Sequence, residues 1–525
     1  MQKPADIDAK CILEEDFRDY DGLVRSETVS APLRAGETGV VVHRVTFQRN
    51  PRRRITALVL ALRGKRYIKS LWGMEPEEMG FDRRITLQLN DRRLSFDVAA
   101  RQGDGERTAT RSPSEWTWVR LDLGDAAFAA GDVMTLTFGF DERIPVPVVA
   151  IEYLVPLFFE DDRGDWYIEE PMSIDVVGTD AVKFCADVPS IVQGERVRLR
   201  VSALDRIGNL SADFDDVLLC RLGEQEVRIE MRDGRAETDT FRAPAEGMHC
   251  ITVEAVESGL TGRSNYFLAD PEGRLPKLVW GDIHGHSISS DGIGKLDEHY
   301  AYSRDVRFMD VASVTDHDNQ IIANGAWPAI QRAAREWSEP GRFVALPAYE
   351  WAQPYEAERN YGHKNFYFRT CACNPLLSGD ATDGTDAETP EKLYPKLDPE
   401  DCVIISHHPA YESWMWTDWD HFRADREEVI EVYSRHGASD EPETIKPLPD
   451  FSEERFIFKN MRERPELRLG FVGGSDVHAG LIAQDFHPDR AAPEDKTWFK
   501  PWRGGLTALW LEELTLDAVL DALRR

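Results

Sequence analysis

Three things are scarce in this chain of 525 residues: cysteine, positive charge and long apolar runs. The seven cysteines, Cys11, Cys185, Cys220, Cys250, Cys371, Cys373 and Cys402, are odd in number and form no paired framework. That excludes a disulfide-built scaffold and fits a reducing compartment. Only Cys371 and Cys373 are close together, and C-x-C alone is a weak metal signal. Lysine and arginine number 63 against 94 acidic residues, for a formal charge of -31. Such a charge repels polyphosphate backbones, and the one basic stretch, Arg49 to Arg54, is too short to offset it, so nucleic acid is not an expected partner. No segment approaches the roughly 18 consecutive apolar residues that a bilayer span needs, and the first residues lack the layout of an export signal. A cytoplasmic protein with no membrane partner is the expectation.

What remains is ample for folding. Hydrophobic residues make up 42% of the chain, with 14 tryptophans, and 525 residues exceed what one ordinary core accommodates, so several domains are expected. Up to about residue 275, short β-branched runs such as "TGVVVHRVTF", "DVMTLTFGF" and "ERVRLRVSALD" alternate with Gly, Asp and Asn turns. This rhythm predicts β-sandwich modules, one over residues 1–187 and an immunoglobulin-like unit over 188–275, opening at "VPSIVQGERVRLRV". Beyond the linker "DPEGRLPK" the pattern becomes apolar strands followed by helical stretches, "KLDEHYAYSRDV", "WPAIQRAAREW", "EERFIFKNMRERP" and "TLDAVLDALRR". Alternating β and α over residues 276–525 predicts a parallel sheet, doubly wound or closed into a barrel.

Histidine divides the chain chemically. Only His43 and His249 precede residue 276, and the remaining eleven follow it. In "LVWGDIHGHS" an apolar run ends in H-x-H, and the period-2 alternation of a strand turns His284 and His286 to one face. Four further strand ends repeat the device: Asp316 and His317, Glu350, His407 and His408, and Asp476 with His478. Singly, each has an ordinary role, Asp316 as a helix cap, Glu350 as a rim ion pair or His408 as a satisfied core side chain. Jointly, buried histidines and carboxylates are costly unless they bind something, so convergence on metal is expected. Asp282 is a candidate acceptor for an imidazole N–H.

The order H-x-H, Asp291, T-D-H, Glu, His and D-x-H resembles the polymerase and histidinol phosphatase (PHP) superfamily of metal-dependent hydrolases. "WGDIHGHS", "YGHKNFYF", "EVYSRHGASD" and "GGSDVHAG" look like its DUF3604 branch. The resemblance implies a C-terminal distorted seven-stranded β/α, TIM-like barrel carrying two or three divalent ions. It implies that His284, His286, Glu350 and Asp476 hold the first, and that Glu350 bridges to a second completed by His363 and either His407 or His408. Alignment on Ile405 favours His407, and alignment on Pro409 favours His408. Asp291, His317 and His478 would hold the third, Asp291 standing where some relatives have histidine.

Imidazole and carboxylate donors suit Zn, Mn or Fe. A metal-bridging hydroxide at such a di- or trinuclear site suits hydrolysis of a phosphate ester on a small anionic substrate, or of an amide, lactone or other carbonyl ester. A non-enzymatic binding module is the third reading. Arg435 and His436 in "VYSRHGASD" are candidates for anchoring the substrate and protonating its leaving group beside Glu350 and Asp476, with Lys364 and Arg359 as further rim cations. The tryptophan-rich Tyr411–Phe422 segment is either a pocket wall or satellite core. The β modules are left with carbohydrate binding, contacts in a homo-oligomer, or cover for the site.

Overall fold

The computed structural model describes residues 22–63, 80–102, 116–139, 141–352, 361–370, 375, 376, 378, 387–411, 415–444, 448, 451–484 and 504–524. Arg359, Cys11, Cys371 and Cys373 lie outside them. The chain divides into two compact units, Met1–Gly178 and Thr179–Arg525. No helix among the described residues is long and apolar enough to cross a membrane.

The first unit is a β-sandwich. A five-stranded sheet runs in the order Val24–Thr28, Val41–Phe47, Val133–Phe138, Ile85–Leu89, Arg92–Leu94, and a six-stranded sheet is built around Trp166–Val177, Glu152–Asp161, Ile55–Arg63 and Trp116–Asp122. Strict alternation of buried and more exposed positions in Val41–Phe47 and Val133–Phe138 gives each strand one apolar face. The Phe47 and Phe159 rings, one from each sheet, meet with centroids 5.5 Å apart.

The second unit begins with another β module. Its core gathers Val197, Leu199, Val201, Leu218, Cys220, Phe241, Val253 and Phe267. Lys183–Asp187 pairs antiparallel with Arg196–Leu204, so this module starts ahead of Val188.

The fold expected for residues 276–525 is corrected by the strand topology. No closed barrel forms among the described residues, of which 41% are strand and 13% helix. One sheet has four strands, Val344–Ala345, Val311–Ala312, Lys277–Asp282 (here β1) and the antiparallel Thr507–Leu511. The other runs Ala348–Ala352 (β2), His363–Phe368 (β3), Cys402–His407 (β4), Val429–Ser434 (β5) and Gly437–Ala438, with Gly470–Gly473 also on β5. The physical reason is the pairing: β3 runs antiparallel to both of its neighbours, β2 and β4, whereas a β/α barrel needs a crossover between parallel neighbours. Helices stand where periodicity places them, at Leu296–Asp305 (α1), Trp327–Trp337 and Leu516–Ala522, but too few lie between strands to wind a barrel. The sheets share one apolar core, including Val279, Ile283, Val311, Val344, Tyr367, Ile405, Val429 and Leu509.

Candidate metal centre

The H-x-H pair lies just past β1, where Gly285 bridges Val477 and Asp476 N donates to His284 O at 2.8 Å. The following loop is wrapped around Asp316, whose carboxylate accepts from Ser287 N and Oγ, both at 2.7 Å, and from Ser290 Oγ at 2.5 Å. Asp316 thereby sets down Asp291, and Gly292 is obligatory because a Cβ there would lie 2.0 Å from His286 O. Register then aligns the rest. Glu350 pairs with His317 across a parallel bridge, and His363 lies opposite both Ala352 and His407. Asp476 and His408 are non-glycine residues with positive φ, 52° and 31°, a costly conformation that recurs at binding sites.

These segments bring the expected residues together. His284 Nε2 lies 3.3 Å and His286 Nε2 3.2 Å from Glu350 Oε2, and they lie 3.4 and 3.2 Å from Asp476 Oδ1. The other oxygen of Glu350 faces His363 Nδ1 at 2.6 Å, His407 Nε2 at 3.3 Å and His317 Nδ1 at 3.6 Å. The other oxygen of Asp476 faces His436 Nε2 at 3.1 Å and His408 Nδ1 at 3.4 Å. Asp291 meets His317 Nε2 at 3.5 Å and His478 Nε2 at 3.4 Å. Five overlapping groups of donors result among the described residues: His284, His286, Glu350 and Asp476; His363, His407 and His408; His286, Asp291, His317 and His478; His284, His407 and Glu431; and His436, Asp476 and His478. Both histidines of "SHHP" therefore reach the cluster, one toward each carboxylate.

The donors fit a cation better than they fit one another. His286 Nδ1, Glu350 Oε1, His407 Nε2, His408 Nε2 and Asp476 Oδ2 are buried and make no well-formed hydrogen bond among the described residues. Two nitrogen or oxygen donors about 2.0–2.1 Å from a tetrahedral ion stand about 3.4 Å apart, close to most of these separations.

Electrostatics point the same way. Burial opposes ionisation of Glu350 and Asp476, but the surrounding imidazoles outweigh it and hold both carboxyls well below the ordinary range. Burial also opposes charge on His286 and His317, yet the carboxylates raise them to about 9 and about 10. Burial, followed by the adjacent His408, pushes His407 well below the ordinary value.

Other candidates stand elsewhere. Lys364 is corrected from a rim cation: alternation along β3 turns it away from His363, and its Nζ is buried against Ser406 Oγ at 2.8 Å and Glu427 Oε2 at 2.9 Å. Arg435 is buried, and its Nη2 donates to Gln484 O at 3.4 Å. Among the described residues Asp282 accepts no imidazole N–H; it takes Ser475 N and Ala483 N, each at 2.8 Å. Among the Tyr411–Phe422 residues, Trp419 packs with Ile430, Ile457, Leu467 and Phe422 as satellite core. Sequence reasoning missed Glu431, which accepts from His284 Nδ1 at 2.9 Å. Its signal was available, since an acid inside the apolar run "VIEVY" needs a partner.

Residues 295–444 match a family described as "Protein of unknown function (DUF3604)". An uncharacterized protein of Chlamydia pneumoniae is 21% identical over 69% of this chain, and one of Chlamydia muridarum is 24% identical over 70%. The chain spans 58% of the length of each relative. Among solved structures, the Yersinia pseudotuberculosis adhesin InvE is similar at 11% identity, covering 47% of this chain and 60% of that one, with a TM-score of 0.16. Fibronectin(III)-like modules of Clostridium thermocellum CbhA are similar at 9% identity over 47% and 95%, with a TM-score of 0.13.

Proposed function

We propose that residues 276–525 form a metal-dependent hydrolase, related in its ligand order to the PHP superfamily, that cleaves phosphate esters of a small anionic substrate. The observation that carries this reading is the pair of divided carboxylates: each oxygen of Glu350 and of Asp476 faces a different set of histidines. Such residues would hold two or three Zn, Mn or Fe ions. When bound, the ions supply Lewis acidity and lower the pKa of water. The chain's own residues do the rest. Glu350 and Asp476 fix the spacing of the donor groups, and Glu431 orients His284. His436, beside Asp476, is placed to carry a proton to a leaving group. Asp291, His317 and His478 keep 17%, 14% and 11% side-chain exposure while the other donors are more deeply buried, so a substrate meets the cluster on that edge.

The test is to purify the protein with its native metals, count them by elemental analysis, and assay phosphomonoesters, phosphodiesters and carbonyl esters. Bound divalent metal with phosphoester turnover, abolished in Glu350→Gln, is the expected result. Absence of metal refutes the hydrolase, and turnover of carbonyl esters alone refutes the phosphoester assignment.

A further inference from the structure

The ligands Asp476 and His478 sit at the start of a loop that runs on to Gln484, and that loop is fastened at several points. Asp282 clasps both ends, Oδ1 accepting from Ser475 N and Oδ2 from Ala483 N. Ile482 N donates to His299 Nδ1 at 3.2 Å, and Ser303 Oγ donates to Ile482 O at 3.2 Å, tying the loop to α1. Ala483 is held at φ 65°, a strained value for a residue with a Cβ, so the fastenings outweigh a local preference to relax. Gln484, 3% exposed, accepts from Leu481 N through Oε1 at 2.9 Å, and its backbone oxygen takes the Arg435 guanidinium.

One fastening comes from the β module. Gln484 Nε2 donates to Asn209 Oδ1 at 3.0 Å in a fully buried contact between residues 275 positions apart. Asn209 is itself fixed, because its Nδ2 donates to Asp205 Oδ2 at 2.9 Å and Asp205 Oδ1 accepts from the backbone nitrogens of Ile207, Gly208 and Asn209. A second route runs through α1, where Tyr302 OH donates to Gly208 O at 2.5 Å on the same turn, while His299 and Ser303 hold Ile482. A buried amide pair of this kind is costly to leave half-made, so it constrains the loop as strongly as a backbone contact does.

We infer that the β module of residues 179–275 is a working part of the metal centre, with Asn209 a positioning residue that acts through Gln484 on the loop carrying Asp476 and His478. This rests on the metal-centre reading. Outer groups that orient ligands typically change metal affinity by 10- to 100-fold when removed.

The experiment is a Co(II) titration of the full chain, read by visible absorption and by elemental analysis, for the wild type, Asn209→Ala, Gln484→Leu and the double variant. Each single variant is expected to bind Co(II) about tenfold more weakly with an altered visible spectrum, and the double variant to be less than additive, because both substitutions remove the same Asn209–Gln484 bond. Arg221→Ala, on the exposed face of the same module, should match the wild type. Wild-type affinity and spectrum in Asn209→Ala overturn the inference, as does a loss confined to Gln484→Leu. Should Asn209→Ala unfold the Asp205 turn, Gln484→Leu leaves that turn intact and decides alone: an unchanged spectrum and affinity there overturn it. A wild-type protein that takes up no Co(II) refutes the metal centre itself, a result distinct from any of these.

Discussion

His284 Nδ1 donates to Glu431 Oε2 at 2.9 Å, and both side chains are sealed from solvent. The bond leaves Nε2 as the ring's donor toward Glu350 and Asp476. Gly474 makes room for the pair, because a Cβ there would lie 2.4 Å from His284 Cβ and 2.6 Å from Glu431 Oε2. Glu431→Gln keeps the shape but removes the charge that strengthens the imidazole as a ligand. Metal affinity is expected to fall 10- to 100-fold while stoichiometry at saturating metal stays the same, as measured by competition with a chelating dye. Gly474→Ala should lower both. Unchanged affinity in Glu431→Gln would mean the orientation of His284 is set elsewhere.

Proton competition gives metal binding a defined pH dependence. In the metal-free protein, burial works against charge on His286 and His317, but nearby carboxylates prevail and raise them to about 9 and about 10. Both are therefore protonated at neutral pH, and an incoming cation must displace those protons. Apparent affinity should rise about tenfold per pH unit for each displaced proton between pH 6 and 9. Calorimetric titrations in buffers of different ionisation enthalpy should register proton release at pH 7. For stability of the metal-free chain the sign is opposite: these raised values contribute stability that is fully present below 6.5 and lost as pH climbs through 9 to 10. Metal uptake without proton release at pH 7 would contradict the charge state assigned to the cluster.

The clustered positions His284, His286, His317, Glu350, His407, His408, Asp476 and His478 were legible in the sequence because apolar runs end there, and a strand end is a fixed place in three dimensions; Asp291, in a turn, and His363, which opens its strand, carried no such mark. The three helices Leu296–Asp305, Trp327–Trp337 and Leu516–Ala522 were legible for the same local reason, a 3.6-residue period. That the described strands close no barrel was not legible, because direction of pairing leaves no mark on strands buried on both faces. "HKNFYF" and "CVIISH" are buried at every position and read as parallel strands, yet they pair antiparallel. Two-residue strands such as Val311–Ala312 and Val344–Ala345 are also too short to carry a pattern. The Asn209–Gln484 contact had no signal at all, since neither residue departs from its local context.

His43 predicts acid sensitivity in the first unit. It is 1% exposed, its Nδ1 lies 3.0 Å from Thr28 Oγ1, and burial lowers its pKa to about 4. The folded state thus keeps a neutral ring where the unfolded chain, near 6.5, would already bind a proton. The contribution is fully present above pH 6.5 and is lost as pH falls toward 4, by up to about 3 kcal/mol, with no further change below. Calorimetric scans between pH 7 and 4 should show this slope for the first unit, flattened in His43→Gln. A variant that keeps the wild-type slope would assign the acid sensitivity to other groups.

Behind the side of β3 and β4 that faces the histidine cluster lies a buried charge pair whose removal separates folding from ligation. Lys364 Nζ lies 2.9 and 3.1 Å from the two oxygens of Glu427, which also accepts from Ser406 and Tyr394 hydroxyls. Lys364 and Glu427 are 2% and 0% exposed, so neither charge has water to fall back on. Lys364→Met strands the Glu427 carboxylate and should cost about 3–5 kcal/mol in urea unfolding. Adding Glu427→Gln removes the stranded charge, so the double variant should recover most of that loss. Because Lys364 lies between His363 and Asn365 on a strand whose alternate side faces the cluster, the rescued protein should bind metal with wild-type stoichiometry. A double variant no more stable than Lys364→Met would show that the four-group network, rather than the unpaired charge, sets the cost.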